Sequence, residues 1–396
     1  MATTLAEVLR RFGPEYLRAH QLNTAQAKAW RAIVSCRTPA LGGQLLQCDG
    51  CGQQQWRWHS CRNRHCPQCQ AQARDAWRQA RMRELLAVPY CHLVFTLPHE
   101  LNALATAHPR WVYETLMHCV AATLTEFAAN PRWLGGIGAF TLVLHTWTQD
   151  LRRHLHVHAL MACGALHLGG AGRDEWVTPR RSPTFLFPVQ ALSRVFRGKF
   201  IAAIQHARSA GALARDPATS NQSVREREQP LRAKDWVVYA KTALAGPAAV
   251  LDYLSRYTHR TAIGNERLLG IDNGCVCLRV RNENAARRTV TIEGCEFVAR
   301  FLQHVLPPGF KRIRHYGLLA PAAKEVRLAS ARSLLRMPQP NPAALEKAIG
   351  FMSRVAGIEI SRCPHCANGH WQVVCECSPD RKLLAQTPPL VCRGPP

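Results

Sequence analysis

Two Cys-x-x-Cys pairs constrain this chain more than any other feature. Cys48/Cys51 and Cys66/Cys69 lie in CDGCGQQQWRWHSCRNRHCPQC, with fourteen residues between the pairs. Four thiolates at this spacing can close tetrahedrally around Zn²⁺, and the intervening chain must then fold as a small ribbon. Cys61, His59 and His65 lie inside the loop, where one of them could replace a knuckle cysteine or help to hold a second ion. Nothing suggests an open coordination position, so this zinc should build the fold and do no chemistry. Arg57, Arg62 and Arg64 stand between the knuckles as candidate phosphate contacts, with ordinary solvated surface as the alternative.

A second block, CPHCANGHWQVVCEC, offers Cys363/Cys366 as a good knuckle. Its partner pair, Cys375/Cys377, has a poorer spacing, and His365 and His370 are spare donors. It reads as a candidate small C-terminal zinc ribbon. Cys91, Cys119, Cys163, Cys275, Cys277 and Cys295 sit in apolar stretches and read as small core residues. The start, MATTLAEVLRRFG, has no apolar core region, and no later segment reaches ~18 uncharged apolar residues. An intracellular protein is therefore expected, with no membrane partner. There the 17 cysteines call for metal and not for disulfides.

Charge points to the partner. The formal net charge is +25 and the pI about 10.0. An excess of that size favours a polyanion, with nucleic acid first. A membrane surface is the weaker reading, because no basic amphipathic helix stands out.

Helices are expected over LAEVLRRF, PEYLRAH and TAQAKAWRAIVSC, and a basic helix over 70–87. YCHLVFTLP reads as a strand closed by Pro98, and a long helical stretch runs from His99 to Ala129 with a break near Pro109. GAFTLVLHTW and HLHVHALMACG alternate as two strands joined by TQDLRR. PVQALSRVFRGKFIAAIQHARSAG reads as a helix, WVVYAKTA as a strand, AAVLDYLSRYTHR as a helix, and CVCLRVRN with RRTVTIEG as a hairpin. Residues 212–235 are polar and read as a loop or insertion. The fold class is α+β. The expected units are a helical zinc-binding, DNA-binding domain over 1–88, a catalytic domain over 89–325, and a C-terminal helix, knuckle and frayed tail over 326–396.

Two constellations carry chemistry. His154, His156 and His158 alternate with Leu155, Val157 and Ala159, so one sheet face is apolar and the other carries imidazoles. Neutral imidazoles can hold a divalent cation against a phosphate, Mg²⁺ or Mn²⁺. The cation should bind less well as pH falls through the ordinary histidine pKa, about 6.5. Tyr253 and Tyr257, four residues apart, share a helix face. That spacing equally suits a core-facing aromatic stripe. Arg256 and Arg260 interleave with the pair, and nearby cations favour a phenolate nucleophile and a charged phosphorane.

These residues resemble a known family. HLHVHALMACGAL is similar to the His-hydrophobe-His (HUH) motif, and YLSRYTHRTAIGNERL to a two-tyrosine helix. SCRNRHCPQCQ, VFTLPHEL, WVVYAK and GFKRIRHYGLL resemble, in order, other blocks of the rolling-circle insertion-sequence transposases of the IS91 family. The resemblance spans roughly residues 20–325. It implies an antiparallel sheet carrying the histidines, an RRM-like palm flanked by helices, with the tyrosine helix beside it. It implies His156 and His158 as metal ligands, with Gln149 and His259 as candidates for a third. Tyr253 and Tyr257 become nucleophiles that leave a 5′-phosphotyrosine and a free 3′-OH.

The expected function is then metal-dependent cleavage and strand transfer on single-stranded DNA at element ends and target, with structural Zn²⁺ and, lacking a Walker A motif, no nucleotide cofactor. The protein would work on the nucleoid in a bacterial cytoplasm. A plasmid-type relaxase or replication initiator is the rival enzyme. A zinc-dependent DNA-binding regulator without catalysis is the rival from another class.

Overall fold

The computed structural model describes residues 3–170, 173–182, 185–213, 224–244, 249, 262–281, 286–341, 346, 348–366 and 368–380. Helices α1 (Leu5–Ala19) and α2 (Thr24–Val34) open the chain. Each starts at a capping box, Thr4 with Glu7 and Asn23 with Gln26. There the cap and the third helical residue satisfy each other's backbone N–H. A hairpin of β1 (Gly43–Cys48) and β2 (Gln54–Trp58) follows, then α3 (Gln70–Met82). Next come β3 (Tyr90–Thr96), α4 (Asn102–Ala107), α5 (Pro109–Ala129), β4 (Ile137–Trp147), β5 (Arg153–His167), β6 (Glu175–Val177), α6 (Val189–Ser209), α7 (Val224–Ala233) and β7 (Val238–Leu244). The last third holds β8 (Leu268–Asp272), β9 (Cys275–Arg281), β10 (Arg287–Glu293), α8 (Gly294–Leu302), β11 (Ile313–Gly317), α9 (Lys324–Leu334), α10 (Ala348–Ala356) and β12 (Trp371–Cys377).

The fold is α+β with antiparallel sheets and helices, as the sequence indicates. The largest sheet runs β11-β4-β5-β3-β7, with β6 added on β5, and every pairing in it is antiparallel. Its strands alternate as the pleat requires. Leu93, Phe95, Phe140, Leu142, Leu144, Leu155 and Val157 point to one face and pack with Leu116 and Val120 of α5 and Phe196 and Phe200 of α6. Burying this face is the main stabilising term, at roughly 25 cal/mol per Å² of apolar surface. The opposite face is divided. At one end Ala139, Leu160 and Ala162 pack under Leu328 and Ala331 of α9. At the other end lie the histidines.

A second core joins the N-terminal helices to the sheet β10-β9-β8. Helix α1 lies on α8, and a Cβ at Gly294 would meet the Phe12 ring at 2.1 Å. Cys36, Cys66 and Leu151 belong to this same core. The expected hairpin is present as β9 and β10, and β8 adds a strand that the pattern did not suggest, because LLGID is short and weakly alternating. Pro109 does divide the long helical stretch, standing at the first turn of α5. Within the polar 212–235 segment, residues 224–233 form a helix, and Leu231 is buried in the main core. Composition averaged over the segment hid apolar positions such as Leu213 and Leu231, both buried in the main core.

The third sheet is β12-β1-β2. Strand β12, near the C-terminal end, pairs antiparallel with β1, near the N-terminal end. The second cysteine block is therefore not a free-standing ribbon. Among the described residues, no helix is long and apolar enough to cross a membrane.

Candidate functional site

The histidines converge because two neighbouring strands present the same face. Leu155 and Val157 point into the main core, so His156 and His158 must point the other way. On β4 the buried neighbours Leu142 and Leu144 do the same for His145, which stands directly opposite His156 in the β4–β5 ladder. The ligand atoms of His145, His156 and His158 all lie within 4.8 Å of one another. Ring centroids are 4.5 Å apart for His145–His158 and 4.8 Å for His156–His158.

Outer partners orient the rings. Nδ1 of His156 lies 3.0 Å from the His154 carbonyl oxygen. Nδ1 of His158 lies 2.9 Å from Nε2 of His92 on β3. Ring nitrogens held in this way fix the tautomer and aim the other nitrogen, the usual arrangement around a ligating imidazole. His145 stacks on Trp147, 4.7 Å between centroids. Burial lowers the pKa of His156 to about 4 and that of His92 to about 4, and burial drives His158 lower still. All three are neutral at pH 7, the form that binds a metal. The donor set suits a divalent cation with coordination positions left for phosphate oxygens.

The third imidazole within reach of the pair is His145, which the sequence reading did not name beside Gln149 and His259. The Gln149 side chain instead accepts the Arg281 N–H at 2.7 Å. His259 lies outside the described residues, as do Tyr253, Tyr257, Arg256 and Arg260. His145 was legible in outline, since GAFTLVLHTW alternates and the turn to β5 is short. What was missing was the ladder register, displaced by an irregularity between His145 and Trp147.

The cysteines sort differently from their spacing. Cys48, Cys51, Cys66 and Cys69 do not form one set. Cys66 and Cys69 join Cys36 and Cys61, while Cys48 and Cys51 join Cys363 and Cys366. The reason is the β1–β2 hairpin, which carries the first knuckle to one end of the small sheet while the second stays on the α2 side in the core of α1 and α8. In the first group Cys36 and Cys69 sulfurs are 3.4 Å apart and Cys61 and Cys69 sulfurs 3.6 Å. Contacts with the Cys36 thiol draw Cys69 toward thiolate and push the Cys66 thiol up. Cys61 is in this group; His65 is not, and burial lowers its pKa to about 3. Cys375 and Cys377 lie in β12 and in neither group. Cys36, just beyond α2, went unrecognised as a donor because it is a lone cysteine upstream of the knuckles.

Arg64 donates to the carbonyls of Phe310 at 2.7 Å and Pro307 at 3.1 Å, so its guanidinium docks the zinc module on the loop before β11. Arg62 is exposed. On β2, Trp56 and Trp58 stack at 4.8 Å with 2° between planes, and Trp56 keeps 43% of its surface exposed.

Comparison with known proteins places the chain among relatives. Residues 8–97 match a family described as "Transposase zinc-binding domain", and residues 138–327 one described as "Putative transposase". "Putative transposase y4qJ" of Sinorhizobium fredii (strain NBRC 101917 / NGR234) is 40% identical over 92% of this chain and 93% of its own. "Transposase for insertion sequence element IS801" of Pseudomonas savastanoi pv. phaseolicola is 26% identical over 78% of this chain and 74% of its own. Among solved structures, the conjugative relaxase TrwC in complex with oriT DNA, metal-bound, aligns with 69% of this chain and 98% of its own at 12% identity. Its TM-score is 0.25, too distant to carry an argument.

Proposed function

Because the chain belongs to the IS91 family of transposases with an N-terminal zinc-binding domain, we propose that it cuts and rejoins single-stranded DNA through 5′-phosphotyrosine at the histidine face, mobilising an insertion sequence by a rolling-circle route. The observation that carries this is the convergence of His145, His156 and His158 beside the apolar-backed strand β5. A divalent cation, Mg²⁺ or Mn²⁺, held by these imidazoles would polarise the scissile phosphate and stabilise charge on the leaving oxygen.

The protein's own groups do the rest. The phenol oxygen of Tyr253 or Tyr257 attacks phosphorus in line, the P–O3′ bond breaks, and the 3′-OH leaves with a proton. The new phosphotyrosine ester keeps the bond energy, so a 3′-OH can reverse the step without a nucleotide cofactor. A second tyrosine lets a second strand be processed before the first is released. Arg256 and Arg260, interleaved with the tyrosines, would stabilise the phenolate and the charged phosphorus centre. Exposed Arg62 would contact phosphates and the Trp56–Trp58 stack would hold unpaired bases. The basic charge of +25 supports a nucleic-acid partner. The chemistry requires access to DNA, which supports the reading that the protein works on the bacterial nucleoid in the cytoplasm.

A denaturing gel tests the reading. Incubated with single-stranded element ends and Mn²⁺, the protein should yield a covalent adduct that EDTA abolishes. Tyr253→Phe with Tyr257→Phe should remove the adduct, and His145→Ala should reduce it by at least tenfold. Adduct that survives the double tyrosine change would sink the mechanism.

A further inference from the structure

We propose that Cys48, Cys51, Cys363 and Cys366 hold a second structural zinc ion, in a site contributed half by each end of the chain. All four sulfurs lie within 4.8 Å of one another. Cys48 and Cys366 are 3.5 Å apart, Cys51 and Cys363 3.8 Å. Tetrahedral Zn–S bonds of about 2.3 Å set sulfur–sulfur edges of about 3.8 Å. A disulfide needs about 2.05 Å and joins sulfurs in pairs. Here four converge, which a metal explains and pairing does not.

The two knuckles are built alike. The Gly50 N–H donates to the Cys48 sulfur at 3.4 Å, and the His365 N–H donates to the Cys363 sulfur at 3.4 Å. In each, the residue two places after the leading cysteine offsets thiolate charge. The backbone is fitted around the sulfurs. A Cβ on Gly369 would stand 2.2 Å from the Cys48 sulfur and 2.7 Å from the Cys366 sulfur. The Asp49 N–H donates to the His370 carbonyl at 3.1 Å, and the His370 N–H donates to Asp49 Oδ1 at 2.7 Å. These bonds lock one knuckle onto the other.

The ion also answers what keeps β12 on β1. Strand β12 is exposed along its middle, with Val373 and Val374 each 53% exposed. No apolar core lies over it among the described residues. Small sheets of this kind are marginal without a staple. Zinc binding supplies that staple, releasing the thiol protons as the four sulfurs become thiolates. Sequence separation between Cys51 and Cys363 is 312 residues, so this site closes only after the intervening fold has brought the ends together.

Metal analysis of the full-length chain tests the assignment. Wild-type protein should carry two zinc ions per chain. Cys363→Ser/Cys366→Ser should carry one, Cys48→Ser/Cys51→Ser should carry one, and the fourfold variant should also carry one. Cys375→Ser/Cys377→Ser should keep both. A single ion in the wild type overturns the proposal, and needs no variant to fold. So does a fourfold variant that loses more zinc than either pair, or loss of zinc from the Cys375/Cys377 variant.

Discussion

His156 illustrates how burial changes a residue's chemistry. In water an imidazole takes a proton near pH 6.5, and competition with a cation would begin there. In the folded protein burial lowers His156 to about 4, as it does His92 and His304. Proton competition at the site therefore starts well below the pH expected from the residue type alone. Stability behaves differently. Between about 4 and 6.5 the unfolded chain binds protons that the folded chain does not, so stability falls as pH falls through this window. Each such histidine contributes a slope of about 1.4 kcal/mol per pH unit, levelling off below its folded pKa. We expect Mn²⁺ affinity of the folded protein to hold from pH 7.5 to about 5.5, while urea midpoints drop over the same range. A steep affinity loss near pH 6.5 with an unchanged midpoint would refute this.

At the scale of elements, the sheet depends on close backbone approaches that no side chain could make. Gly317 ends β11 at φ +64°, and a Cβ there would lie 1.7 Å from the Gly138 carbonyl oxygen on β4. An alanine is disfavoured both by the positive φ and by the clash. Gly317→Ala should cost roughly 1–3 kcal/mol, read as a lowered denaturation midpoint. No change in midpoint would mean that β11 does not seat on β4 as described. The existence of β4 and β5 was legible, because their periodicity is 2 and their length sufficient. Their partner order was not. β3 lies between β5 and β7, and β11 closes the far edge beside β4, pairings set by packing across long sequence separations.

For the whole molecule, charge and the tryptophan stack make a joint prediction. Stacking of a base on an aromatic ring is worth about 1–3 kcal/mol by alanine substitution, and phosphate contacts make binding fall with salt. Trp56→Ala should therefore weaken binding of a single-stranded oligonucleotide by roughly 1–3 kcal/mol and leave the salt slope unchanged. Fluorescence anisotropy at several salt concentrations would show this, and unchanged affinity would remove the stack from the DNA path. The N-terminal cysteine-rich part also bonds, through Arg64, to the carbonyls of Pro307 and Phe310 in the loop before β11, so the proposed base-stacking surface and the histidine face belong to one structure.

Sequence by itself determined the residue types and their local order: the knuckles, the two-faced strand with His156 and His158, the helical segments, and a basic chain suited to nucleic acid. Each of these rests on short-range physics, alternation over two residues, helical turns of 3.6, or ligand spacing within one loop. Tertiary structure alone decided which residues meet. It brought His145 across to the histidine pair, gave Cys36 and Cys61 to the second knuckle, and carried Cys363 and Cys366 back to the first. Those partners are set by ladder register and by core packing between distant segments. A spacing rule counts residues along the chain, and the Cys48/Cys51 knuckle finds its partner 312 residues away from Cys51.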